Sequence, residues 1–259
     1  MTILDELAAL RREDASVLEK TAPLATLEAI IADLPPPPDF KRAFSGDGIH
    51  VIAELKKASP SKGLIREDFR PLTLALELER NGAAAISCLC EPHRFLGHEE
   101  YLRSVARQVA IPVLYKDFVT TRYQVARARV CGAAAVLLIA AALENGELAT
   151  LAAAAREYGF SALVETHTHE EIATAIDAGA DVIGVNCRDL KTFRTDPAIT
   201  ADLIKTIPSS CIRIAESGIR THADIVQLRA AGADGFLIGE TLMRQPAPGA
   251  MLRELTASY

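Results

Sequence analysis

A Gly-Ala pair recurs at Gly82, Gly132, Gly179 and Gly232, at steps of 50, 47 and 53 residues, each one or two residues before an apolar run. Glycine takes the left-handed conformation without strain, so such a pair is the expected stop of an amphipathic helix that hands over to a strand. Between these positions lie the other strand-like runs, starting near 50, 111, 161 and 211. Interleaved, they give eight strands separated by segments of helical spacing. Eight β-α units in 259 residues, without a long second domain, predict an α/β fold: one closed (β/α)8 barrel, the TIM-barrel architecture. An open doubly wound sheet is the alternative, disfavoured by the strand count and the missing dinucleotide fingerprint.

Residues 1–45 stand outside this repeat and are expected to form a helical extension of the single domain spanning 1–259. Leu4, Leu7, Ala8 and Leu10, followed by Arg11-Arg-Glu-Asp14, have the pattern of an amphipathic helix, and Leu24 to Leu34 that of a second. Pro35 to Pro38 then form a stiff spacer that cannot be helical. The extension is expected to plug one mouth of the barrel in preference to a direct role in chemistry.

Five of the strand-like runs end on groups that a buried sheet normally excludes. They are His50-Val-Ile-Ala-Glu-Leu-Lys56, Pro112-Val-Leu-Tyr-Lys116, Ala162-Leu-Val-Glu165, Val182-Ile-Gly-Val-Asn-Cys-Arg188 and Ile212-Arg-Ile-Ala-Glu216. Burying an unpaired charge costs several kcal/mol, so five such endings at strand C-termini suggest one shared polar cavity, where barrels carry their chemistry. Alternation sets the parity: if Ile52 faces the interior, Glu54 and Lys56 follow it. The same rule pairs Lys116 with Leu114, Glu165 with Leu163, Asn186 and Arg188 with Gly184, and Glu216 with Ile214. A purely structural salt-bridge lattice is the alternative reading of this near-balanced set.

The totals exclude several classes. A net charge of −6 without a dense basic tract argues against nucleic acid. No apolar run nears the ~18–20 residues needed to cross a bilayer, and the first residues lack the pattern of a secretory signal, so a cytoplasmic protein is expected, with no membrane partner. The five cysteines (88, 90, 131, 187, 211) read as buried thiols. His167-Thr-His169 lacks a third ligand at suitable spacing and reads as a helix-start surface, so no metal is expected. No nucleophile elbow or P-loop occurs.

Anion-binding candidates sit at the right strands. Ser59-Pro-Ser-Lys-Gly63 follows the first strand, Ser217-Gly218 the seventh, and Gly239-Glu-Thr241 the eighth. Loops after strands seven and eight, with backbone N–H groups at a helix start, are the usual phosphate seat in barrels. Phe95, Phe118, Leu137, Leu190 and Phe193 lie near strand ends; Phe118 shares Lys116's parity, consistent with a flat aromatic substrate moiety.

Glu54-Leu-Lys-Lys-Ala-Ser-Pro-Ser-Lys-Gly63, Pro112-Val-Leu-Tyr-Lys-Asp-Phe118, Leu163-Val-Glu165, Ile183-Gly-Val-Asn-Cys-Arg-Asp-Leu-Lys-Thr-Phe193, Ala215-Glu-Ser-Gly-Ile219 and Leu237-Ile-Gly-Glu240 together resemble the indole-3-glycerol phosphate synthase family of tryptophan biosynthesis. The resemblance runs from about residue 5 to 245. It implies a lyase that closes the ring of 1-(2-carboxyphenylamino)-1-deoxy-D-ribulose 5-phosphate with loss of carbon dioxide and water, using no cofactor or metal. By carry-over, Lys116 protonates the ketone oxygen, Glu165 serves later proton transfers and dehydration, and Lys56, paired with Glu54, holds the carboxylate. The division of acid and base work among these three stays open.

The resemblance further implies that Asn186, Glu216 and Arg188 orient hydroxyl and carboxylate groups. Ser59, Ser217, Gly218, Gly239 and Glu240 would bind phosphate, and Phe95, Phe118, Leu137 and Leu190 would enclose the ring. A monomer is expected, with association to other tryptophan-pathway enzymes left open. Two departures stand out: Cys88-Leu-Cys-Glu-Pro-His93, which could alter how Phe95 closes over the ring, and Tyr115, where arginine is frequent, expected to matter little. A phosphoribosylanthranilate isomerase is the enzymatic rival, weakened by the absence of a cysteine at the first strand end. A non-catalytic scaffold is the other rival, weakened by the retention of Lys56, Lys116 and Glu165.

Overall fold

A computed structural model of the chain describes residues 2–144, 146–186 and 197–257. Among them, eight parallel strands close into a barrel: β1 (His50–Leu55), β2 (Ala85–Leu89), β3 (Val113–Lys116), β4 (Ala135–Ile139), β5 (Ser161–Thr166), β6 (Val182–Asn186), β7 (Ile212–Glu216) and β8 (Gly235–Ile238). Pairing follows chain order, and β8 returns to β1. Helices α3 (Pro71–Arg80), α4 (Glu99–Ala106), α5 (Arg122–Val130), α6 (Glu147–Glu157), α7 (His169–Asp177), α8 (Pro197–Ile204) and α9 (His222–Ala230) alternate with the strands. The short α10 (Glu240–Met243) and α11 (Pro248–Thr256) follow β8. The expected closed barrel is what forms.

The Gly-Ala repeat works as a helix stop. Gly82, Gly132, Gly179 and Gly232 all have positive φ, between 73° and 109°. The alanine N–H that follows reaches back five residues, from Ala83 to Leu78 and from Ala233 to Leu228 at 3.1 Å each. That closure satisfies a terminal carbonyl and turns the chain toward the next strand. At the opposite end, Thr121, Thr168 and Thr221 cap α5, α7 and α9, which fixes those helix starts close behind the strand ends.

Parity behaves as the sequence requires. Ile52, Leu114, Leu137, Leu163 and Ile214 pack together inside the barrel. Val51, Ala53, Leu55, Tyr115, Val136 and Val164 belong to a second cluster, under the helices. Inward residues near the strand C-termini are therefore committed to one end of the barrel.

The extension forms α1 (Ile3–Thr21) and α2 (Leu24–Asp33), the extended prolines, and a 3-10 turn over Lys41–Phe44. Phe40 and Phe44 stack edge to face at 5.2 Å, and Phe44 packs against Gly235 and Ile214 at the N-terminal mouth. This is the expected plug. The same extension also does what was not expected: Ile3, Leu4 and Leu7 of α1 line the cavity at the opposite, C-terminal mouth.

Buried charge holds α1 there. Arg11 donates to Asp117 from Nε at 2.9 Å and from Nη2 at 2.7 Å, and both residues are buried. Arg11 Nη1 also reaches Asp14 at 2.6 Å, Asp14 meets His93 at 2.8 Å, and Glu6 meets Arg94 at 2.6 Å. Tyr115 faces outward as its parity requires, yet it is not idle. Its hydroxyl lies 3.1 Å from Asp117 and 3.0 Å from Glu99, which is itself paired with Arg127. The tyrosine therefore belongs to the network that seats the extension.

Arg11→Met would leave Asp117 buried without its counter-charge, a loss worth about 3–5 kcal/mol when one partner of a buried pair is removed. A urea titration should register it as a lower midpoint with an unchanged slope.

Candidate active site

Register determines which groups meet. β5 aligns Glu165 with Gly184 of β6, and β6 aligns Asn186 with Glu216 of β7. β8 brings Leu237 beside Glu216, while β1 brings Glu54 beside Ser87 of β2. The result is a polar layer above the apolar barrel interior. Lys116, the last residue of β3, extends into it: Nζ lies 3.1 Å from Glu216, 3.4 Å from Glu165 and 3.8 Å from Glu54. Lys56, just past β1, pairs with Glu54, and Asn186 donates to Glu165 at 3.1 Å.

Absent side chains make the room. A Cβ at Gly184 would collide with the Glu216 carboxylate, and one at Gly239 with that of Glu54. A glycine within or just past a strand marks a close approach, and Gly184 inside β6 and Gly239 directly after β8 both do so here.

Lys56, Glu54, Lys116, Glu165, Asn186 and Glu216 all open onto a cavity of about 470 Å³ at the C-terminal mouth. Ser59, Phe95, Phe118, Leu137, Ser217, Gly218, Gly239 and Glu240 line it too. Arg188 and Leu190, with Phe193, lie outside the described residues. The ring centroids of Phe95 and Phe118 are 6.0 Å apart, tilted by 43°. Ser59 is buried, in a two-strand ribbon that pairs Ala58–Ser59 with Gly63–Leu64. Ser217 and Gly218 both have positive φ, of 64° and 75°, which turns the chain sharply after β7.

The altered loop after β2 is held by a carboxylate. Glu91, fully buried, accepts the backbone N–H groups of His93 at 2.6 Å and of Arg94 and Phe95 at 2.8 Å. Three donors on one carboxylate fix the loop that presents Phe95. The loop stands out in the sequence, but its anchor does not. His167, expected on a helix-start surface, instead has a side chain only 14% exposed, with Nε2 3.6 Å from Glu165. His167 shares the parity of Glu165 two residues earlier, and that was the available signal.

Burial opposes every charge in this layer, and neighbours decide the outcome. For Lys116, burial favours the neutral amine, but Glu216, Glu165 and Glu54 outweigh it and hold the ammonium proton far more tightly than usual. Burial likewise opposes Glu54 and Glu165, yet Lys56 and Lys116 keep the first ionised, and Lys116 with His167 the second. Glu216 goes the other way. Burial raises it, Lys116 opposes, and the hydrogen-bonded Glu165 adds repulsion, so it is pushed up to about 8. Glu165 and Glu216 thus hold one proton between them at neutral pH. With that proton in place the two lysines face two carboxylates, and the layer is balanced. It can donate protons from Lys116 and from the carboxyl pair, and it can receive them.

A closed barrel with such a layer at the C-terminal mouth, beneath an aromatic slot and glycine-bearing turns, defines a (β/α)8-barrel enzyme. Its family follows from comparison with known proteins. The family profile for indole-3-glycerol phosphate synthase matches residues 4–255. Proteins of that name from Sulfurimonas denitrificans (44% identical, 98% of each chain covered) and Micrococcus luteus (44%, 100% of this chain and 98% of the relative) align nearly end to end. The relative from Chlorobium phaeovibrioides is 46% identical over 90% of this chain and 91% of its own. The chain belongs to the indole-3-glycerol phosphate synthase family, carboxy-lyases of tryptophan biosynthesis. Solved structures share the fold at lower identity. A 3-hexulose-6-phosphate synthase superposes with a TM-score of 0.65 at 15% identity, covering 80% of this chain and 98% of that one. Among the described residues, no helix is long and apolar enough to cross a membrane.

Because Glu216 is raised to about 8, kcat/KM should fall as pH rises above that value. Ionisation there gives Lys116 a third negative neighbour and makes its proton harder to release. Glu216→Gln should lack this alkaline limb, whatever its absolute rate, in a pH profile of kcat/KM.

Proposed function

We propose that the chain catalyses the decarboxylating, dehydrating ring closure of 1-(2-carboxyphenylamino)-1-deoxy-D-ribulose 5-phosphate to indole-3-glycerol phosphate. The observation that carries this reading is Lys116, held among three buried carboxylates and two residues before the ring of Phe118 in the same cavity. Ring closure needs an electrophilic ketone, and dehydration needs a hydroxyl protonated as it leaves; a positioned acid is typically worth ~10²–10⁴ in each.

Lys116 protonates the ketone oxygen as the ring carbon attacks. In the free site its proton is tightly held, so the substrate's hydroxyl groups, donating to the surrounding carboxylates as they bind, must draw them away from it. Lys56, steadied by Glu54, takes the substrate carboxylate and stands ready as a second acid. Loss of carbon dioxide is helped by the apolar wall of Phe95, Phe118 and Leu137, which strips solvent from the carboxylate as it enters. Glu165, sharing its proton with Glu216, then moves the protons of dehydration, and Asn186 orients it. Ser59, the Ser217-Gly218 turn and the Gly239-Glu240 backbone receive the phosphate. Arg188 and Leu190 keep the orienting and ring-enclosing roles that the family motif implies. No cofactor or metal enters these steps.

The extension and barrel act as one domain, supported by Phe44 in the lower mouth and Arg11 on Asp117. The proposed setting is the cytoplasm, and the proposed form a monomer.

The test is direct. Purified protein given the carboxyphenylamino ribulose phosphate should produce indole fluorescence, undiminished by a chelator; folded protein without turnover refutes the reading. Lys116→Met should lower kcat by about 10²–10⁴ with KM little changed and the fold intact by circular dichroism. A rise in KM alone would demote Lys116 to a binding residue.

A further inference from the structure

The buried layer has a histidine that the proposed steps leave unused. His167 is absent from the cavity lining and stands behind Glu165, with Nε2 3.6 Å from the Glu165 carboxylate. Its Nδ1 lies 3.3 Å from Glu171 Oε2, and its backbone N–H donates to the same oxygen at 2.6 Å. Nε2 is buried and makes no hydrogen bond among the described residues. Glu171 belongs to the first turn of α7, and its side chain is 23% exposed. A partly exposed carboxylate on α7, an imidazole and a buried carboxylate at the end of β5 thus stand in line.

The proposed reaction needs what such a line can carry. The ketone oxygen gains one proton and the departing hydroxyl gains another, leaving as water. The methylene carbon loses one as the new double bond forms. The electron pair of the carbon–carboxylate bond returns to the ring as neutral carbon dioxide departs. Each turnover therefore consumes one proton, matching the negative charge of the lost carboxylate. Glu54, Glu165 and Glu216 are buried, and bound substrate covers the mouth from which water could otherwise supply them.

We propose that Glu171 and His167 form a proton-uptake path that recharges the Glu165–Glu216 pair from behind, while substrate or product fills the mouth. The inference rests on the reaction proposed above. A proton passes from solvent to Glu171 and on to Nδ1, as Nε2 yields its own to Glu165. Once product leaves and the mouth reopens to water, Nδ1 returns its proton through Glu171 and Nε2 regains one from the Glu165 side, which restores the starting tautomer. The groups facing it are Glu165 from β5, Glu171 from α7 and, farther off, Glu216 from β7, all carboxylates. The Ala140–Ala142 turn packed against α7 adds no charge. Burial disfavours the imidazolium, but Glu171 and Glu165 outweigh it and raise the ring above its usual value.

The experiment measures kcat at saturating substrate against the concentration of added imidazole, at constant ionic strength. The unaltered protein should be insensitive to the added acid. His167→Asn should lose on the order of tenfold in kcat, the loss growing as pH rises, and should recover with added imidazole while KM stays constant. Glu171→Gln should show the same dependence in weaker form. It carries the test alone if His167→Asn fails to fold. A merely structural histidine would not respond to a buffer acid, so an unchanged kcat, or a lowered kcat that ignores imidazole, overturns the inference. Absence of turnover in the unaltered protein would instead sink the proposed reaction, and the uptake path with it.

Discussion

The structure turns on how a lysine ammonium is kept inside a barrel. Lys116 has three carboxyl groups within 3.8 Å, and neither its charge nor those of Glu54 and Glu165 would survive burial alone. Each is affordable only because the others stand at the matching strand ends. That mutual dependence explains why the polar layer is confined to one rim, why Glu216 retains a proton, and why Lys56 must accompany Glu54. It also makes the layer responsive. A ligand that adds or removes one charge changes the proton affinity of all its members.

Much of this was legible from the amino acids because a strand has a fixed period. Once Ile52, Leu114, Leu163 and Ile214 are taken as interior, the directions of Glu54, Lys116, Glu165 and Glu216 follow, and the structure agrees. The Gly-Ala repeat was equally readable, since a helix stop depends on local backbone conformation alone. What stayed hidden involved partners distant in sequence. Arg11 and Asp117 are 106 residues apart, and an arginine on an amphipathic helix ordinarily points to water. His167 was masked by the helix start beside it. Glu91 looked like part of an irregular loop, although three backbone donors converge on it.

The extension illustrates the same limit. Its apolar stripe announces that α1 must bury a face but says nothing of where. The answer is divided between the two ends of the barrel: Phe40 and Phe44 fill one mouth, and Ile3, Leu4 and Leu7 border the other. Ion pairs to Asp117, His93 and Arg94 reach the loops that follow β3 and β2, and these loops carry Phe118 and Phe95. The aromatic slot is therefore built jointly by barrel and extension.

Gly184 and Gly239 have a consequence for how such a site can change. Each hydrogen in place of a methyl reserves the volume taken by a carboxylate on the neighbouring strand, Glu216 for the first and Glu54 for the second. Neither glycine can acquire a side chain while its carboxylate remains, and neither carboxylate can be removed without opening a hole against bare backbone. In a drifting lineage or a redesigned catalyst, Gly184 with Glu216 and Gly239 with Glu54 should be exchanged as couples, never singly.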